Sequence, residues 1–137
     1  MKILALDPGK ATGVALCIID GGLDTFYVAE HSVVSLYHGI DIIVDSFKPD
    51  VIVAEQYRLY PQLARVQAFS TMVAAHVLGA IEYIAETRGI PLVEQTAAVG
   101  KSVQIPEDIY CKVRMYKTLH EKDAVKHAYM YCVRQRL

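Results

Sequence analysis

No apolar run in this sequence is long enough to cross a bilayer, because charges interrupt the longest candidates. Cysteine is scarce: Cys17, Cys111 and Cys132 are odd in number, far apart and without a Cys-x-x-Cys pair. That excludes a disulfide frame and a cysteine zinc site, and reads as reduced thiols in a cytoplasmic protein. A secretory leader is not expected either. Lys2 alone precedes a short apolar run, which ends at Asp7 without a small-residue cleavage site. Internal repeats, low-complexity stretches and linkers are all lacking, so residues 1–137 are expected to form one domain. Net charge is small, −1 overall, and argues neither for nor against a polyanionic partner.

What is present is a 53% hydrophobic, globular composition with an uneven charge distribution. Residues 101–137 carry eight Lys and Arg against four acids, while residues 1–100 carry six against eleven. The basic C-terminal third could face a polyanion or could be a solvated helix face.

The pattern along the chain alternates between β and α periods. Residues 2–7 and 12–19 are apolar and β-rich, with a Pro8-Gly9-Lys10-Ala11 hairpin turn between them. Residues 24–31 read as a third, antiparallel strand. A helical stripe runs over residues 35–47 and breaks at Lys48-Pro49-Asp50. Residues 51–55 read as a short strand buried on both faces. Residues 62–87 read as one long helix that Gly89 ends, residues 90–93 as a fifth strand and residues 97–103 as a short helix. Residues 107–118 are ambiguous, and residues 120–135 close the chain as a helix. The order predicts an α/β fold: a five-stranded mixed sheet with flanking helices, built from a meander and right-handed crossovers. In that arrangement the first and fourth strands can be neighbours at the centre of the sheet.

Four potential metal ligands then fall in positions that could share one site. Asp7 ends the first apolar run and Glu55 ends Val51-Ile52-Val53-Ala54, while His120 and Asp123 stand one turn apart at the start of the last helix. Carboxylates are rarely placed at the ends of core strands for packing. Several converging on one point repel one another unless a cation intervenes, and magnesium or manganese with phosphate is the usual reason for such a cluster. Each residue also has a plain structural role open to it. Asp7 could be a turn aspartate, Glu55 could pair with Arg58, His120 could simply begin the helix, and Asp123 could answer the helix dipole. His127 could be a packed helix histidine or could reach a bound phosphate.

The segments Leu6-Asp7-Pro8-Gly9-Lys10-Ala11-Thr12-Gly13-Val14-Ala15, Val53-Ala54-Glu55-Gln56 and His120-Glu121-Lys122-Asp123-Ala124 resemble the three acidic motifs of RuvC-like Holliday junction resolvases. The likeness is to short, phage-type members of that group within the RNase H superfamily, acting in a bacterial or phage-infected cell. The resemblance implies an RNase H-like fold and a homodimer. It implies a metal-dependent endonuclease that makes symmetric nicks in branched DNA, with no nucleotide cofactor. It also implies two Mg²⁺ or Mn²⁺ ions held by Asp7, Glu55, His120 and Asp123, which are then the catalytic residues. A histidine in place of a fourth carboxylate should favour Mn²⁺ over Mg²⁺.

DNA-contact candidates are Lys101, Lys112, Arg114 and Lys117 by charge, and Tyr57 and Tyr60 as aromatics beside Glu55 that could stack on unpaired bases. The residues 62–87 carry small side chains and more apolar positions than one face needs, which suits burial against a second copy. Other readings are a pre-ribosomal RNA nuclease of the YqgF type, half of an actin-like ATPase, and a non-catalytic nucleic-acid-binding module. The first is disfavoured by Glu94-Gln95-Thr96-Ala97 where a different stretch is usual, the second by length, and the third by the carboxylates themselves.

Overall fold

A computed structural model of the chain describes residues 1–29, 33–58, 62, 72–106 and 119–137. The elements are β1 (Lys2–Asp7), β2 (Ala11–Ile18), β3 (Leu23–Ala29), α1 (Val33–Phe47), β4 (Val51–Glu55), α2 (Met72–Arg88), β5 (Leu92–Gln95), α3 (Ala98–Ser102) and α4 (Leu119–Gln135). The strands form one mixed sheet in the order β3-β2-β1-β4-β5. Pairing is antiparallel across β3-β2-β1 and parallel across β1-β4-β5. The expected five-stranded mixed sheet and the central pairing of first and fourth strands are both realised.

Side-chain alternation sorts the sheet into two faces. Leu4, Leu6, Ile52 and Ala54 pack under α1 and α2, against Ile40, Val77 and Ile81. Ile3, Ala5, Val51 and Val53 pack against Ala124, Val125 and Ala128 of α4. With helices on both sides, β1 is fully buried from Ile3 to Leu6. Strand parity then decides where the terminal acids go. Asp7 follows Ile3 and Ala5, and Glu55 follows Val51 and Val53, so both carboxylates belong to the α4 face. The Pro8-Gly9 turn is closed by Thr12, whose Oγ1 donates to the Gly9 carbonyl at 3.0 Å.

One boundary differs from expectation for a visible reason. The fifth strand begins at Leu92 rather than at residue 90. Gly89 takes a positive φ of 63° and Ile90 N–H returns to the Ala85 carbonyl at 2.9 Å, so both residues are spent on ending α2. The strand therefore reaches Gln95, which pairs in register with Glu55. Helix α1 starts two residues earlier than the stripe indicated, at Val33. Residues 63–71 of the expected long helix, residues 30–31 of the expected third strand and the ambiguous 107–118 lie outside the described residues. Among the described residues, no helix is long and apolar enough to cross a membrane.

Cys17 and Cys132 are free thiols, as expected, but they hydrogen-bond to each other across β2 and α4. The Cys132 thiol holds the Cys17 thiol down at about 7, against an opposing push from burial. Cys111 lies outside the described residues.

Gly13 fixes how close α4 comes to the sheet. It pairs with Asp7 across β1 and β2. A Cβ there would lie 2.0 Å from the His120 carbonyl oxygen and 2.7 Å from the Glu121 nitrogen. Both obstacles are backbone, so neither can swing away. Gly13→Ala should cost about 1–3 kcal/mol or more of stability in urea unfolding, because the first turn of α4 must move off the strand. Gly22→Ala, which meets no atom within 4 Å, should be close to neutral in the same measurement.

Candidate metal centre

The site is assembled from three chain segments at one end of the sheet. Leu6 pairs with Ala54 in the parallel register of β1 and β4, so Asp7 and Glu55 leave neighbouring strands side by side, on the same face. Helix α4 begins above them because Gly13 admits its first turn. His120 and Asp123, three residues apart, then descend on the same side. Asp7, Glu55, His120 and Asp123 all line one cavity of about 420 Å³, together with Tyr57 and Arg58.

The electrostatics record this convergence. The Asp7 carboxyl is raised from 3.8 to about 6, first by burial and then by the negative charge of Glu55, with Asp123 adding to the push. The His120 hydrogen bond opposes the shift without cancelling it. His120 Nδ1 lies 2.7 Å from Asp7 Oδ2, with the imidazole half exposed and the carboxylate buried. Asp7 is therefore more than a turn aspartate, since Thr12 closes the turn and Asp7 faces the cavity.

Arg58 Nε donates to Gln56 Oε1 at 3.0 Å. Glu55 Oε2 lies 3.0 Å from His127 Nε2. Asp123 Oδ1 sits 3.7 Å from Lys126 Nζ, and the Lys126 ammonium also donates to the Gly100 carbonyl. Gly100 leaves room for Asp123: a Cβ there would stand 3.4 Å from its carboxylate.

A metal ion fits this donor set by its chemistry. Three carboxylates and an imidazole face one cavity, and the repulsion that raises Asp7 is what a cation would relieve. As the side chains stand, no group of three or more His, Cys, Asp or Glu among the described residues converges on a single point. Asp7 is engaged through Oδ2 by His120 and Glu55 through Oε2 by His127, so ligation would fall to the other oxygen of each carboxylate.

The other sequence candidates divide. Tyr57 lines the cavity and packs partly against the α1/α2 core. Lys101 is exposed in the last turn of α3 and is not among the residues that line the cavity. Lys112, Arg114, Lys117 and Tyr60 lie outside the described residues. His127 is fully buried and does not line the cavity, so it cannot reach a bound phosphate. Sequence reasoning also missed Gln95, whose side chain lies 2.9 Å from His127. Strand parity would have found it had the start of β5 been placed correctly.

No protein-family model matches the sequence, and no curated protein matches it. Solved structures do match. The RuvC of Thermus thermophilus in complex with a Holliday junction substrate superposes with a TM-score of 0.73 at 17% identity, over 99% of this chain and 95% of that one. A second Thermus thermophilus RuvC structure gives 0.69 at 16% identity, over 99% and 97%. The yeast mitochondrial Holliday junction resolvase Ydc2 gives 0.50 at 14% identity, over 98% and 84%. The chain has the RNase H-like fold of the RuvC resolvases, along nearly its whole length.

Proposed function

We propose that the chain is a metal-dependent endonuclease acting on branched DNA, a Holliday junction resolvase that nicks symmetrically as a homodimer. The observation that carries the reading is the convergence of Asp7, Glu55 and Asp123 from two strands and a helix on one cavity, with Asp7 raised to about 6 by burial and its acidic neighbours. The fold likeness to RuvC, one example of which holds a Holliday junction, supports branched DNA as the substrate class of that cavity. Mg²⁺ or Mn²⁺ is the proposed cofactor, two ions per site, held by Asp7, Glu55, His120 and Asp123.

Divalent ions, when bound, would activate water and neutralise charge at the phosphate. The rest falls to the chain. Asp7 and Glu55 are anchored at the ends of paired core strands, so their spacing is fixed by the sheet. His120 holds Asp7 in place, and Asp123 completes the acidic wall from α4. Tyr57 and Arg58 border the cavity, where an incoming strand would pass. Lys101, with Lys112, Arg114, Lys117 and Tyr60 outside the described residues, is assigned to DNA contact. We assign the homodimer to the groove between α1 and α2, where Val34 and Tyr83 are 72% and 71% exposed and Gly79 leaves open space. A two-fold dimer would match the near two-fold symmetry of a four-way junction.

Asp7→Asn, Glu55→Gln and Asp123→Asn are each expected to reduce junction cleavage by roughly 100-fold or more, while junction binding holds or tightens. Cleavage of labelled four-way junction in Mn²⁺, beside gel-shift titration, reads both; near wild-type cutting in all three would refute the metal site. Tyr83→Glu should convert a dimer to a monomer in sedimentation velocity without loss of helical circular dichroism.

The raised Asp7 carboxyl gives a signature without DNA. The folded chain holds this proton to about 6, whereas the unfolded value is 3.8. Over that interval the folded state binds more protons, so this contribution to stability falls as pH rises. The difference amounts to roughly 3 kcal/mol above pH 6. In EDTA, urea unfolding should show wild type losing stability relative to Asp7→Asn between pH 4 and 7, and Mn²⁺ should reverse the loss. Parallel pH profiles for the two proteins would contradict this.

A further inference from the structure

We propose that His127 is a positioning residue for Glu55, and that Gln95 fixes the ring tautomer in which it does so; the proposal rests on the metal-dependent reading of the site. His127 is fully buried, with no exposed surface to meet a substrate. Its two ring nitrogens have one partner each: Nε2 lies 3.0 Å from Glu55 Oε2, and Nδ1 lies 2.9 Å from Gln95 Oε1. Gln95 is itself 2% exposed.

The Gln95 amide supplies the decisive detail. Among the described residues its Nε2 is the buried side-chain nitrogen or oxygen that has no hydrogen-bond partner. As oriented, the amide turns a carbonyl to the ring and strands a buried NH₂, which is costly. The two ends of an amide are nearly equal in size and shape, so the hydrogen-bond network decides between its two orientations. Turning this one by 180° lets Nε2 donate to His127 Nδ1. The ring then carries its hydrogen on Nε2 and donates it to Glu55. The atom left without a partner becomes a carbonyl oxygen, the more tolerable orphan.

The chain Gln95–His127–Glu55 follows from the fold. Glu55 and Gln95 are register partners on β4 and β5, so both face α4. His127 stands one turn beyond Asp123 on that helix and spans them from behind the cavity. Its hold on Oε2 fixes the orientation of the carboxylate that lines the cavity. Histidines and carboxylates that support metal ligands in this way typically contribute about 10–100-fold to metal affinity.

The test has two readouts that do not depend on cleavage. In metal-free protein labelled with ¹⁵N-histidine, the His127 ring should show a single Nε2–H tautomer with Nδ1 as acceptor, and Gln95→Leu should abolish that uniformity. In Mn²⁺ titrations followed by electron paramagnetic resonance, His127→Leu should weaken binding by about 10–100-fold. His127→Gln, which keeps an amide donor for Glu55, should recover most of it. Circular dichroism checks folding, and Gln95→Leu keeps the test open if His127→Leu does not fold. An Nδ1–H or mixed tautomer in wild type overturns the proposal. So does Mn²⁺ affinity that falls in Glu55→Gln but is unchanged in His127→Leu, and that result leaves the metal reading standing. Wild-type protein that binds no Mn²⁺ overturns the metal reading and this proposal with it.

Discussion

Two carboxylates at the ends of adjacent parallel strands repel each other, and the site is arranged around that repulsion. Pairing of Leu6 with Ala54 places Asp7 beside Glu55, and burial deepens the penalty on the more enclosed of the two. The chain answers with a histidine for each: His120 on Asp7 and His127 on Glu55. Both come from α4, as does the third acid, Asp123. Without α4 seated on the sheet, the paired strand ends would be two unsupported charges at the edge of a core. The close approach at Gly13 is therefore as much a condition of the site as any of its acids.

The seating of α4 also explains why one helix carries so much of the site. His120, Asp123 and His127 recur at intervals of three and four, the spacing of a single helix face. Interleaved with them, Ala124, Val125 and Ala128 enter the core beside Ile3, Ala5 and Val53. Small and branched side chains there hold the helix close, so the polar residues at its start are pressed onto the strand ends. Packing in the middle of α4 and chemistry at its beginning are consequences of one docking geometry.

Much of this was legible in the sequence where a residue broke a pattern. Asp7 and Glu55 stood out because acids seldom end core strands, and the order of elements sufficed to place the two strands side by side. Gln95 was not legible. Its role depends on where β5 starts, and that is set by the helix termination at Gly89 and Ile90, a backbone event the hydrophobic pattern does not report. Gly13 was visible only as part of a motif, since the obstacle that demands glycine is the backbone of His120, more than a hundred residues away. The Cys17–Cys132 contact was hidden for the same reason: spacing along the chain says nothing about which strand a helix crosses.

Sheet parity gives the molecule a division of labour. Even-numbered residues of β1 and β4 face α1 and α2, and odd-numbered ones face α4. The helices over the first face carry a groove between them with exposed Val34 and Tyr83, and the second face ends in the acidic cavity. Because side chains alternate with a period of two, a slip of one residue in the β1–β4 register would exchange the faces and carry the acids into the apolar layer under α1 and α2. The cost of burying unpaired carboxylates there makes the wrong register unfavourable. Asp7 and Glu55 thus enforce the pairing that creates the site. The residues proposed for catalysis also help to specify the fold.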